Sequence, residues 1–237
     1  KRKKGKIYET PKVYNQIKYV YQTIKVLVKK IYLDKYNFKL AQFKINNISS
    51  PLIIHTDKKK FLADPFLIHH KNKTYCFAEE YDHRKKKGHI VCFNLDKKAL
   101  DKKIILDENF HLSFPYIFKF KNNFFMCPDT SQISEIRLYK STNFPLEWKF
   151  YKTIKKNINS VDNIIFKKNN LWWLFTNIDR SNNDDFSHDL SIFFSKEGPL
   201  TNNWKSHPQN PIKIDSIESR NAGLIFEKKK VIRVSQE

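Results

Sequence analysis

The 237-residue sequence predicts an all-β fold of the β-propeller kind, preceded by a basic amphipathic α-helix. Two observations carry this expectation. A hairpin-like segment returns at intervals of about fifty residues, a period characteristic of propeller blades. The chain is also 15% aromatic with only 4 Gly, a composition of many packed strands that excludes collagen-like and disordered chains.

Taken in chain order, the helix comes first. Val13, Ile17, Val20, Ile24, Leu27 and Ile31 recur at alternating steps of four and three, while Lys18, Lys25 and Lys29 fall on other faces. This spacing predicts an amphipathic helix over 11–33, with Thr10 as cap and Pro11 in the first turn. Such a helix could lie on an anionic membrane surface or pack on a protein domain. No apolar run is long enough to span a bilayer. Residues 1–37 are thus expected to form a basic N-terminal segment, and 38–237 a propeller domain.

Four segments then align without gaps: Asp64-Pro65-Phe66-Leu67-Ile68, Phe114-Pro115-Tyr116-Ile117-Phe118, Asp162-Asn163-Ile164-Ile165-Phe166 and Ala222-Gly223-Leu224-Ile225-Phe226. Their first positions lie 50, 48 and 60 residues apart. Each is followed by a turn containing Asn72, Asn122, Asn170 or Lys230, and then by a second apolar strand. Residues 88–96 and 134–141 are expected as third strands. The count reaches three and a half blades, with the remainder either absent or partly supplied by residues 38–57. The chain opens on Lys1-Arg2-Lys3-Lys4 and stops at Glu237 inside a strand pattern, so a fragment truncated at its C-terminus is expected.

In a propeller blade the first strand lines the central channel, which brings equivalent positions of different blades to one mouth. Asp64 and Asp162 are such a pair. Two carboxylates suit glycosyl transfer, one accepting a proton from the attacking hydroxyl and the other assisting departure; alternatively, each caps its strand through backbone amides. Fifteen positions into each repeat stand Glu79, Asp129, Asn177 and Glu237. Glu79-Glu80 belongs to an acidic patch suited to substrate hydroxyls or a cation, or to charge balance against Arg84-Lys85-Lys86-Lys87. His111 and Arg220 precede two repeat starts, and Arg220 could clamp a phosphate or carboxylate. Asp184, Asp185, His188 and Asp189 fall in a long loop of the third repeat and read as solvated.

The net charge of +21 would suit nucleic acid, anionic lipid or phosphorylated substrates, but the lysines are scattered through every segment. Aromatics in strand-core positions leave no exposed stacking face, so nucleic acid is not expected as a partner. Cys76, Cys92 and Cys127 form no CxxC pair and read as buried thiols of a reducing compartment; a cytoplasmic site is expected, at the inner face of a membrane if the helix docks there. Phosphate-loop, HExxH and GxSxG motifs are missing. Neither a cofactor nor a metal is expected.

Seven segments together resemble a known domain: Phe61-Leu62-Ala63-Asp64-Pro65-Phe66-Leu67, Phe77-Ala78-Glu79-Glu80-Tyr81, His111-Leu112-Ser113-Phe114-Pro115, Ser160-Val161-Asp162, Trp172-Trp173-Leu174-Phe175-Thr176, His207-Pro208-Gln209-Asn210-Pro211 and Ser219-Arg220-Asn221-Ala222-Gly223. They resemble the N-terminal propeller domain of glucosamine inositolphosphorylceramide transferases and of bacterial cell-surface polysaccharide proteins, some fused to formyltransferase domains. That domain is similar to the five-bladed propellers of glycoside hydrolase family 43. The resemblance implies five blades and a glycan or glycolipid substrate, with a nucleotide sugar as a possible donor. It also implies Asp64 as base and Asp162 as the group that tunes the acid. At the position of the family's acidic Glu this chain has Asn221, with Glu218 three residues too early. Asn163 replaces the usual Pro, and Asp129 the usual Glu. Either glycosyl transfer or hydrolysis, or a non-catalytic carbohydrate-binding or scaffolding role beside a separate catalytic domain, follows from this set.

Overall fold

The computed structural model describes residues 12–32, 38–44, 47–54, 56–97, 101–180, 185–186, 188–227 and 230–236. The chain divides into two units, residues 1–37 and 38–237. In the first, α1 runs Val13–Tyr32, within the expected 11–33; residues 10, 11 and 33, including the proposed cap, lie outside the described residues. Among the described residues, no helix is long and apolar enough to cross a membrane.

The second unit is a β-propeller built from successive antiparallel hairpins. A first hairpin pairs β1 (Leu40–Lys44) with β2 (Asn47–Ile54). The first blade is β3 (Lys60–His70), β4 (Lys73–Asp82), β5 (Lys87–Asn94) and β6 (Lys103–Leu106), paired in that order. The second is β7 (Ser113–Phe120), β8 (Asn123–Asp129), β9 (Glu135–Asn143) and β10 (Glu147–Lys156), again in order. In the third, β11 (Ser160–Lys168), β12 (Leu171–Ile178) and β13 (Asp189–Ser195) pair successively, and β13 then takes both β14 (Lys205–Ser206) and β15 (Lys213–Ile214). A two-stranded sheet of β16 (Asn221–Glu227) and β17 (Lys230–Ser235) follows. The inner strands are neighbours in sequence order, β3 beside β7, β7 beside β11, and β11 beside β16.

The hairpin turns explain themselves chemically. Lys71-Asn72, Lys121-Asn122 and Asn169-Asn170 each place two consecutive residues at positive φ, between 45° and 62°. That is the type I′ geometry whose twist matches paired strands, and asparagine tolerates it well. In the fourth hairpin Lys230 opens β17 opposite Glu227 rather than sitting in a turn, and residues 228 and 229 lie outside the described residues.

Blades are held together by apolar layers. Leu40, Ile54, Leu62, Cys76, Ala78, Val91 and Phe93 join the first hairpin to the first blade. Phe77, Ile90, Leu112, Ile117, Met126, Tyr139 and Trp148 join the first blade to the second. Phe114, Phe118, Ile136, Leu138, Ile164, Leu174 and Trp204 join the second to the third. Each fully buried Phe or Leu contributes roughly 1.5–3 kcal/mol. All three cysteines are buried free thiols inside these layers.

The third repeat corrects one expectation. Asp189 is not part of a solvated loop; it opens β13 opposite Ile214 and pairs with Arg180 at 2.9 Å. The wider spacing of that repeat comes partly from the longer connection between β12 and β13, as expected, and partly from the stretch after β13 that carries β14 and β15. Asp184 lies outside the described residues.

Candidate functional site

A bulge repeated at the start of each inner strand builds the site. Register shifts fall between Ala63 and Phe66, Ser113 and Tyr116, and Val161 and Ile164. In each, two residues of the inner strand oppose one of its partner. The first bulged residue is left-handed: Asp64 at φ 50°, Phe114 at 46° and Asp162 at 55°. Glycine is usual at such a bulge, and Asp tolerates the conformation better than bulky residues do. Phe114 is the outlier; its ring is 1% exposed and packs edge-on against Phe66 at 4.9 Å, so packing holds the strained backbone. The fourth bulge has one residue fewer, with Gly223 at φ 142°.

The residue before each bulge opposes the position fifteen residues into the repeat, Ala63 with Glu79, Ser113 with Asp129 and Val161 with Asn177. In the shortened fourth hairpin the register gives Asn221 with Ser235. Glu237, aligned there by sequence, lies outside the described residues.

A cavity of about 890 Å³ opens at these bulged ends, lined by Asp64, Glu79, His111, Ser113, Asp129, Ser131, Arg220 and Gln236 together with apolar side chains, among them Leu40, Phe43, Ile54, Phe61, Leu62 and Leu67. Asp162, expected at the same mouth, is buried behind Arg220 and does not line it. Asp64 accepts the backbone N–H of Phe114 across the blade boundary at 3.3 Å. Burial raises its pKa, opposed by that bond and by Arg220. Asp162, from the third blade, accepts Arg220 Nε at 2.8 Å and Gln236 Nε2 at 3.3 Å. Burial pushes it up to about 7, against the pull of Arg220 and with Asp129 and Asp64 adding to the rise. Asp129 accepts Ser131 N–H at 2.7 Å and Ser113 Oγ–H at 3.4 Å; burial lifts it to about 6 despite these bonds. Glu79 is held well above the usual carboxylate range by burial and by Asp64, Asp129 and Asp162.

His111 faces Glu79, its Nε2 lying 3.7 Å from Oε1. Its Nδ1 accepts Gly88 N–H at 2.9 Å, which assigns the ring proton to Nε2. Burial lowers its pKa and keeps it neutral. Gln132 Oε1 receives the His111 backbone N–H at 2.6 Å.

Two expected residues are placed elsewhere. Glu80 follows Glu79 on β4 and so faces the opposite side of the strand. It is 1% exposed and meets Lys60 at 2.9 Å, His89 Nε2 at 3.0 Å, and Lys102. Burial acts against the charge, but hydrogen bonds from His89, Lys102 and Lys60 outweigh it and hold the carboxylate well below its usual range. Its partners are therefore not the expected Arg84–Lys87 run; Asp82 takes Arg84 instead, at 3.5 Å. Asn221 is fully buried. Its Nδ2 donates to Asp162 O at 2.9 Å, its Oδ1 accepts Arg233 at 3.3 Å, and its N–H donates to Asn177 Oδ1 at 2.9 Å. Asn177 in turn donates to Ser219 O at 2.9 Å. Asn221 thus ties β16 to the inner strand β11, and Asn177 ties β12 to the start of β16. Asn163 is likewise fully buried, and among the described residues neither of its amide atoms finds a partner.

Sequence reasoning missed Gln236, Ser113 and Ser131. Ser113 carried a signal, since it precedes a bulge and faces the acid opposite it. Gln236 had none, because its bond to Asp162 joins different repeats, while its second bond, to Asn221 O at 2.7 Å, stays within the fourth hairpin.

Fold and site together define a β-propeller with a cluster of carboxyl groups from separate blades around one arginine, at one end of the inner strands. Residues 48–237 match the family described as glucosamine inositolphosphorylceramide transferase 1, N-terminal, and the chain belongs to that family. Proteins described as glucosamine inositolphosphorylceramide transferase 1 from Oryza sativa subsp. japonica and Arabidopsis thaliana are each 36% identical to it. Those matches cover 70% of this chain but only 23% and 22% of the relatives, so the chain spans under a quarter of their length. Among solved structures, Zg3597, a family 117 glycoside hydrolase of Zobellia galactanivorans, superposes with a TM-score of 0.52 at 12% identity, covering 66% of this chain and 58% of that one. An α-L-arabinofuranosidase from Lactobacillus brevis does so at 0.50 and 12%, covering 68% and 61%. At these identities the likeness concerns the fold.

Proposed function

We propose that the cavity binds the sugar portion of a glycan or glycolipid and that Asp64 acts there as the base of a glycosyl transfer or hydrolysis. One observation carries this reading: Asp64 and Arg220, from different repeats, border one pocket, and Arg220 is held from behind by the buried Asp162 of a third. Arg220 holds Asp162 with its Nε while its side chain, 42% exposed, borders the cavity beside Asp64. In that arrangement the arginine favours the ionised form of Asp64, and a carboxylate near a sugar hydroxyl is a competent proton acceptor. Asn221 has no proton to give to a leaving group. Either the donor arrives activated, as a nucleotide sugar does, or another carboxyl supplies the proton.

We further read the domain as a five-bladed ring in which the β1–β2 and β16–β17 hairpins are incomplete blades. The basic α1, with no acidic residue between Lys12 and Tyr32, suits an anionic membrane surface, which would place a glycolipid acceptor nearby on the cytoplasmic face. Co-sedimentation of the protein with anionic but not neutral vesicles is the expected result; equal retention by both contradicts it.

A second reading, carbohydrate binding without catalysis, is favoured by the locking of Asn221 where an acid would stand. Turnover by the full-length protein with nucleotide sugars and glycolipid acceptors separates the two. Asp64→Asn should lower turnover by about 100-fold or more, the scale of general-base catalysis. Unchanged turnover with weakened glycan binding would establish the binding role instead.

A further inference from the structure

Glu79 sits opposite Ala63 in the β3–β4 register, one residue from Asp64. It is 5% exposed, and the exposed edge borders the cavity. Among the described residues no hydrogen-bond donor closes on its carboxyl, and the ion-pair partner His111 Nε2 stands off at 3.7 Å. A carboxylate buried this deeply without donors is costly, whereas the neutral acid is not. The groups packed around it reinforce the difference. Asp64 from β3, Asp129 from β8 and Asp162 from β11 each oppose a further negative charge. The nearby cations serve other carboxylates: Arg220 binds Asp162, while Lys60 and Lys102 bind Glu80 on the far side of β4. His111 is neutral, its Nδ1 occupied by Gly88 N–H. Gly88 also leaves the room this pair needs, since a Cβ there would lie 2.7 Å from Glu79 Oε1 and 2.8 Å from His111 Cε1.

We propose that Glu79 is the catalytic acid of this cavity, protonating the departing glycosidic oxygen in place of the acid that Asn221 cannot supply. The role rests on the reading of the pocket as a site of glycosyl transfer. In the step, the Asp64 carboxylate takes the proton of the attacking hydroxyl, and that oxygen's electron pair forms the bond to the anomeric carbon. The bond from the anomeric carbon to the leaving oxygen breaks, its electron pair stays on that oxygen, and the oxygen takes the Glu79 proton. Asp64 ends protonated and Glu79 ionised. Proton exchange with solvent in the cavity restores both.

The test compares full-length wild type, Glu79→Gln and Asp64→Asn on two glycosides of the same sugar, one with an alkyl leaving group and one with a strongly acidic phenol. A glutamine keeps the shape but carries no transferable proton. Glu79→Gln should lose about 100-fold or more on the alkyl glycoside, stay near wild type on the aryl glycoside, and lose the alkaline limb of its pH profile. Equal losses on both substrates, or none on the alkyl glycoside, overturn the assignment. If wild type turns over neither glycoside, or Asp64→Asn matches wild type, the underlying reading of the pocket fails and takes this role with it. An active wild type, an inactive Asp64→Asn and an unaffected Glu79→Gln remove the acid role alone. Difference infrared spectroscopy gives a readout independent of turnover: at neutral pH wild type should show the carbonyl stretch of a protonated carboxyl that Glu79→Gln lacks, and its absence from wild type refutes the proposal.

Discussion

Replacing Asp162 with asparagine should change the pH dependence of stability more than stability itself. The carboxyl is 2% exposed, and burial moves its pKa from 3.8 to about 7 although Arg220 pulls the other way. The folded state thus holds this proton more tightly than the unfolded chain does. Its contribution is complete below the ordinary value and is lost as pH rises through about 7. At ~1.4 kcal/mol per tenfold, the shift sets an upper bound of about 4 kcal/mol on that loss. Asparagine keeps an oxygen for Arg220 Nε and leaves the backbone carbonyl bonded by Asn221, so the variant retains the local geometry without the titration. Urea unfolding of wild type and Asp162→Asn between about pH 4 and about pH 8 reads the effect. The variant should gain on wild type across this window by a few kcal/mol. Parallel curves would show that the carboxyl is not buried as described.

Two further outcomes follow from the packing around the site. Glu80→Ala leaves Lys60, Lys102 and His89 around a vacated buried position and should cost about 3 kcal/mol or more near neutral pH. Because its carboxylate is held below the ordinary 4.5, that contribution is present above this value and is lost as pH falls, so thermal unfolding should separate wild type from variant at neutral pH and bring them together in acid; a constant difference contradicts the ion-pair account. Gly88→Ala places a Cβ 2.5 Å from Leu112 O as well as against Glu79 and His111, and should cost roughly 1–3 kcal/mol in unfolding experiments as the blades are forced apart. Wild-type stability in that variant would mean the contact is looser than the structure has it.

The inner hairpins of the first three blades were legible because a local rule writes them: apolar strands flanking Lys-Asn or Asn-Asn pairs that accept positive φ. The bulges were not, since Phe114 carries no sign of a left-handed backbone and is held by Phe66, 48 residues earlier in the chain. For the site, the repeat placed Asp64, Glu79, Asp129 and Asp162 at equivalent positions, and Arg220 and His111 beside them. Glu80 was misassigned against a rule already available, because adjacent strand residues cannot both face one cavity. Asn221 and Asn177 read as substitutions of an acid, whereas their amides bridge strands 44 residues apart. Such long-range hydrogen bonds leave no periodic trace in a sequence.

The central claim is that the bulged ends of the inner strands form a carbohydrate site around Asp64. A crystal structure of the protein with a bound oligosaccharide tests it most directly. The account predicts a sugar ring in the cavity with a hydroxyl in hydrogen-bond contact with Asp64 and neighbouring groups from Glu79 to Arg220 around it. A sugar bound elsewhere on the domain, with this cavity holding only solvent, would contradict it.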